Sequence, residues 1–139
     1  MLGINSGAHL VARVILGYIF VMHGWQKLST NGIDATKGMF DQMGVPAPDL
    51  AAYYATWVEL IGGVLLIVGL ALPLVAILLI ADMIGAIFYA HIDHGLWSMN
   101  GGYEFPLALI AGLIAVGFVK SGPAAIDHYI LPSRRAQVS

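Results

Sequence analysis

In a chain of 139 residues, 59% are hydrophobic and 10% are charged, against about 45–50% apolar and about 25% charged in a soluble domain. A net charge of -2 without a basic stripe excludes nucleic acid as a partner, and a mean hydropathy of +0.83 excludes intrinsic disorder. Cysteine is absent, so the chain has no disulfide, thiolate ligand or redox thiol of its own. What remains is a single-domain integral membrane protein.

A bilayer core about 30 Å thick takes about 20 apolar residues at a 1.5 Å rise. The first stretch that qualifies covers residues 8–28. It is too long for the apolar region of a cleaved signal peptide, contains Arg13 and precedes no clear cleavage site. The loop 29–49 then holds a short helix over 34–43, with Asp34 as N-cap, Gly44 just past its end and Pro46 blocking continuation. Ile33, Met39, Phe40 and Met43 recur at helical spacing along it. That stripe suits a helix lying at the membrane interface or capping the bundle, and ordinary burial against the protein is the plainer reading.

The second stretch covers 50–72 and the third 74–92, with Pro73 suited to a first helical turn and 71–74 forming a tight reversal. A loop rich in Gly, Asn and Ser follows, and the fourth stretch, 103–119, carries Pro106 in its first turn. The expected fold is therefore all-α: a four-transmembrane-helix antiparallel bundle with a short interfacial helix in the first loop. An even number of spans puts both termini on one side. Arg13, Lys120, Arg134 and Arg135 mark that side, against Lys27 and Lys37 opposite, which makes the termini cytoplasmic by the positive-inside rule.

Ionisable side chains at membrane depth cost a few kcal/mol each on insertion scales (about 2.5–3.5), so they face the bundle interior and point to function. Here they are Arg13, His23, Glu59 and Asp82, with Glu104 at the mouth of the fourth stretch and His91 near the end of the third. At about 100° per residue, Arg13, Gly17, Phe20, Gly24 and Lys27 share one stripe with His23 at its edge. Glu59 shares a face with Ala52, Ala55, Thr56, Gly62 and Gly63, while Tyr53, Tyr54 and Trp57 point away. Asp82 falls with Gly85, Ala86 and Tyr89, and Glu104 with Ala108, Ala111 and Ala115. Small residues beside each polar group let a neighbouring helix approach. Depth makes Arg13 and Asp82 partners in a structural ion network. His91 falls about half a turn from Asp82 on an ideal helix, so it joins the same site only where the helix end unwinds.

His23 to Leu28 read HGWQKL. With Arg13 upstream, Glu59-Leu60-Ile61-Gly62-Gly63 in the second stretch and Gly101-Gly102-Tyr103-Glu104-Phe105-Pro106 before the fourth, the chain resembles the DoxX family of small bacterial membrane proteins over nearly its whole length. The resemblance implies a four-helix membrane bundle in the bacterial inner membrane and a link to quinone or sulfur redox chemistry, since the name-giving relatives form the membrane part of a thiosulfate:quinone oxidoreductase. The family's positions fall here on Arg13, His23, Lys27, Glu59, Gly63, His91 and Glu104. Without cysteine, thiol chemistry requires a partner protein.

Quinone sites are apolar slots with a few polar groups that bond the carbonyl oxygens and exchange protons, work suited to His and Glu. The candidate quinone or proton site is thus His23, Lys27, Glu59, His91 and Glu104, in the outer half of the bundle, with catalytic residues unassigned. No intrinsic cofactor and no metal are expected. His23 and His91 are not aligned for a haem, and His91-Ile92-Asp93-His94 reads as a polar exit loop rather than a metal site. Two other readings compete. One is a non-catalytic accessory subunit packed against a larger respiratory or redox complex. The other is a proton path along Arg13, Asp82, Glu59 and His23, which requires access from both sides.

Overall fold

The computed structural model describes residues 3–130 and is helical throughout, with no strand among the described residues. Six α-helices follow in order: α1 (Ile4–Trp25), α2 (Ile33–Gln42), α3 (Pro48–Val68), α4 (Leu72–Ala86), α5 (Glu104–Gly117) and the short α6 (Asp127–Ile130). Two of them end in a wide turn bonded i to i+5, Gln26–Thr30 after α1 and Ile87–His91 after α4. With these extensions Ile4–Thr30, Pro48–Val68 and Leu72–His94 are long and apolar enough to cross a membrane. α5 is apolar but has 14 residues, a rise of roughly 21 Å against the ~30 Å of a bilayer core. Among the described residues, three membrane-capable helices and one shorter apolar helix therefore stand where the sequence suggests four spans.

The four long helices pack in the cyclic order α1, α3, α4, α5, and each runs antiparallel to its neighbours. The α1–α3 contact is the most intimate. A Cβ on Gly63 would meet the Gly17 carbonyl oxygen at 2.7 Å, and one on Gly24 would meet the Leu60 amide at 2.7 Å. Only glycine lets the two backbones lie this close, which draws the polar stripe of α1 onto the Glu59 face of α3. Leu16, Phe20, Leu66, Leu79, Leu113 and Val116 fill the centre.

Local chemistry sets the helix ends. Past α2, Gly44 takes a left-handed φ of 76°. The Val45 amide reaches the Phe40 carbonyl at 3.1 Å and the Gly44 amide reaches Asp41 at 3.0 Å, a Schellman closure that leaves Pro46 outside the helix. The α3–α4 reversal falls at 69–71, close to the expected turn, with Gly69 at φ 73° and Ala71 at φ 54°. Asp127 completes it from a distance. Its two carboxylate oxygens accept from the Ala71 amide at 2.7 Å and the Leu72 amide at 2.8 Å, capping α4.

Two expectations need correcting. On α5 the buried face is Pro106, Leu109, Leu113, Val116 and Gly117, while Glu104, Ala108, Ala111 and Ala115 are exposed. The larger side chains of α5 fill the gap beside α4, and that turns its small-residue stripe outward. Arg13 and Asp82 are not partners either. Arg13 is 1% exposed and donates through Nη2 to the Ala124 carbonyl at 3.0 Å, beside the α3–α4 turn, where its acidic neighbour is Asp127. Asp82 faces Glu59 and Lys27 instead. The segment after α5 folds back over the bundle end and takes up Arg13, an arrangement that a count of spans does not foresee. Arg134 and Arg135, on which the expected orientation rests, lie outside the described residues.

Candidate functional site

Where α1 ends, α3 begins and α4 unwinds, the bundle holds a cavity of about 510 Å³. Its polar wall comes from three helices: His23 and Lys27 of α1 and its extension, Glu59 of α3, and Asp82 of α4. Phe20, Ala55, Met83 and Leu109 form its apolar base, and Met39 and Phe40 of α2, with Met43 just past its end, line it from the loop side. Phe40 of this loop helix is half-buried at the cavity, Met39 stays 43% exposed, and Thr36 is the buried residue of α2. Thr36 fixes that helix: its hydroxyl bonds the Lys27 carbonyl at 3.1 Å and the Gly32 carbonyl at 3.0 Å.

The centre of the polar wall is an ion pair. Lys27 Nζ donates to Glu59 Oε2 at 2.7 Å, with 3% of the Glu59 side chain and 19% of the Lys27 side chain exposed. Asp82 adjoins Glu59 from α4. Its Oδ2 is buried and accepts no hydrogen bond from a backbone or side-chain donor, and the Thr56 hydroxyl, one turn before Glu59, is likewise unpartnered. Two carboxyl groups thus share one ammonium, and this trio is neutral when one carboxyl holds a proton. His23, half-buried and one turn before Lys27, adjoins the Lys27–Glu59 pair, with its ring 6.0 Å from that of Phe105.

Both wide turns lie at this cavity. Such turns interrupt α-helices most often at functional sites, because the extra residue re-aims the side chains that follow. The turn at Gln26–Thr30 carries Lys27. The turn at Ile87–His91 rotates His91 back from its α-helical phase, so that it lines the same cavity as Asp82. Its Nδ1 is fixed to the Gly101 carbonyl at 2.7 Å. His91 therefore joins the site by the unwinding that the sequence leaves open.

Glu104 does not line the cavity. Its Oε2 accepts from the Ser98 amide at 3.0 Å, so this carboxylate ties the α4–α5 loop to the start of α5. His23, Lys27, Glu59, His91 and Asp82 are brought together, and Arg13 and Glu104 stand apart at opposite ends of the bundle. No cluster of three metal-ligating side chains occurs among the described residues.

Sequence reasoning passes over three polar residues that the fold uses. His9 is buried on α1 and its Nε2 lies 3.0 Å from the Val116 carbonyl of α5. Its signal was available, one helical turn before Arg13 on the same face. Thr36 and Asp127 carry no such local signal. Outside the membrane-capable helices, Lys37 donates to the Tyr53 hydroxyl at 3.1 Å with its ammonium over that ring, and the hydrogen bond raises its pKa.

The DoxX family model matches residues 8–92, which include Arg13, His23, Lys27, Glu59, Asp82 and His91. A Bacillus subtilis protein named "Putative oxidoreductase CatD" is 32% identical over 126 residues, 91% of this chain and 89% of the relative. The inner membrane protein YphA of Escherichia coli is 33% identical over 125 residues, 85% of each chain. An uncharacterised membrane protein of Mycobacterium tuberculosis is 28% identical over 134 residues, 89% of this chain and 80% of the relative. No solved structure gives a significant match.

Proposed function

The chain belongs to the DoxX family of membrane proteins, and from that premise we propose that it binds a quinone-type redox molecule in its polar cavity and serves as the membrane component of an oxidoreductase. The observation that carries this reading is the cavity itself: about 510 Å³, within the roughly 300–1,000 Å³ of small-molecule sites, with an apolar base and a buried ion pair in one wall. Lys27 keeps ammonium hydrogens beyond the one given to Glu59, and these suit a carbonyl oxygen. Glu59, Asp82 and His23 are groups that exchange protons. Reduction of a quinone to a quinol consumes two electrons and two protons. The cavity groups relay the protons, and a thiol donor of the electrons belongs to a partner protein, because the chain has no cysteine. The name of the Bacillus relative agrees with this assignment.

In this reading α5 is the fourth crossing, the cavity lies in the outer half of the bundle, and both termini are cytoplasmic in a bacterial inner membrane. The decisive experiment titrates a quinone analogue into the purified protein and into Lys27→Met and His23→Leu variants, after extraction of co-purified lipid for quinone analysis. Bound quinone in the extract and weakened binding in both variants are expected. Absence of affinity in the parent protein would end the redox reading. The accessory-subunit reading would then stand on the exposed Ala108, Ala111 and Ala115 of α5, a surface that admits a close-packed helix of another chain.

A further inference from the structure

The cavity is not sealed from the side. Of the residues that line it, Ala81 of α4, Tyr89 of the wide turn after α4 and Tyr54 of α3 are also exposed on the outer surface, and Gly85 of α4 is half-exposed. Ala81 and Gly85 are four residues apart on α4, so they lie on one face of it, and Tyr89 follows in the wide turn. A Cβ built on Gly85 meets nothing within 4 Å, so that face of α4 is open there. Tyr54 bounds the gap on the other side, its hydroxyl reaching across to the Leu78 carbonyl of α4 at 2.8 Å. Ala81 and Gly85 lie well inside the membrane-capable stretch Leu72–His94, and at that depth the surface outside them is acyl chain rather than water. At the inner end of the same opening stand Asp82 and Glu59.

We propose that this flank between α3 and α4 is a lateral portal and tail groove, and that the ligand is a lipid-soluble amphiphile. Its polar head lies against Lys27, Glu59 and Asp82, and its apolar chain leaves over Ala81 and Gly85 into the bilayer. This rests on the quinone reading of the cavity and adds the ligand's class, a tailed molecule that enters from the membrane. A water-soluble, tail-less molecule has no use for the groove. Gly85 determines the specificity: small enough to leave the groove open, with nothing in the fold requiring its smallness.

The test is Gly85→Phe. The new side chain enters open space and replaces a glycine inside a helix, a change that favours folding, and it fills the groove. The reference is Ile84→Phe, on the exposed side of α4 and outside the cavity lining. Binding of an isoprenoid-tailed quinone and of its tail-less analogue is measured on detergent-purified protein of each variant, with melting curves as a check on folding. Gly85→Phe weakens the tailed quinone by about tenfold or more, since a few methylene contacts carry that much. It leaves the tail-less analogue unchanged, and Ile84→Phe leaves both unchanged. Tailed binding unaffected by Gly85→Phe overturns the portal, as does an equal loss for both ligands, and the quinone reading survives either result. Failure of both ligands to bind the parent protein overturns the two together.

Discussion

The Lys27–Glu59 pair offers the sharpest test of how the cavity wall is held. Removing the ammonium by Lys27→Met leaves two carboxyl groups facing each other, Glu59 at 2% exposure and Asp82 beside it with an unpartnered oxygen. A unit charge pair at the observed 2.7 Å attracts by about 6 kcal/mol at an effective dielectric constant of about 20. Desolvation of both ions offsets much of that, and breaking a buried pair by deleting one partner costs about 3–5 kcal/mol. Lys27 keeps 19% of its side chain exposed, which lets water and ions screen the pair and places the expected loss for Lys27→Met near the lower figure, about 3 kcal/mol. Glu59→Met strands the ammonium more mildly, because Lys27 lies nearer the surface, and costs about 1–2 kcal/mol. The double variant Lys27→Met with Glu59→Met removes both ions and fills the space, so it recovers most of the loss. Reversible unfolding in mixed micelles, followed by circular dichroism, gives the four free energies of the cycle. If each single variant lies within about 0.5 kcal/mol of the parent, the pair is a solvated surface contact and the buried polar wall is misread.

Gly63→Leu forces a side chain into the Gly17 carbonyl and the Val21 backbone, where overpacking costs about 1–3 kcal/mol or more; a sharp loss of folded yield in detergent is expected, against little change for Trp57→Leu on the exposed face. Asp127→Ala removes both acceptors that cap α4 and lowers stability by about 1–2 kcal/mol, seen as a lower melting temperature with quinone-analogue affinity unchanged, since Asp127 is remote from the cavity. Glu104→Gln keeps an acceptor for the Ser98 amide and leaves analogue binding unchanged, whereas His23→Leu weakens it; equal loss in both would put Glu104 back in the site. Reporter fusions at Ser139 give a cytoplasmic signal, and a periplasmic one reverses the orientation.

What the sequence makes legible is set by helical phase. The face of α3 that carries Glu59 is buried with Ala52, Ala55, Thr56, Gly62 and Gly63, and Tyr53, Tyr54 and Trp57 are exposed, because a regular helix of 21 residues keeps its phase from end to end. The α1 stripe of Arg13, Gly17, Phe20 and Gly24 is buried for the same reason. Phase fails where the helix ceases to be α. His91 could not be placed by counting residues, since the wide turn at Ile87–His91 changes the count per turn. On α5 two stripes compete, small residues with Glu104 and large ones with Pro106, and neighbouring volume decides between them. A periodicity argument does not contain that volume.

Charge pairing fails in sequence reasoning for a different reason. Arg13 and Asp82 have matched depth only if every helix is straight and every loop stays outside the bundle. The chain after α5 instead returns, presents the Ala124 carbonyl to Arg13 and places Asp127 on the amides of Ala71 and Leu72. That leaves Asp82 free to meet Glu59, and with it the acidic excess of the cavity wall. The polar character of the candidate site thus depends on a segment more than 40 residues away in sequence. The C-terminal return takes one donor of the buried Arg13, while Asp82 and Glu59 have a single ammonium between them, that of Lys27, and both carboxyl groups line the cavity.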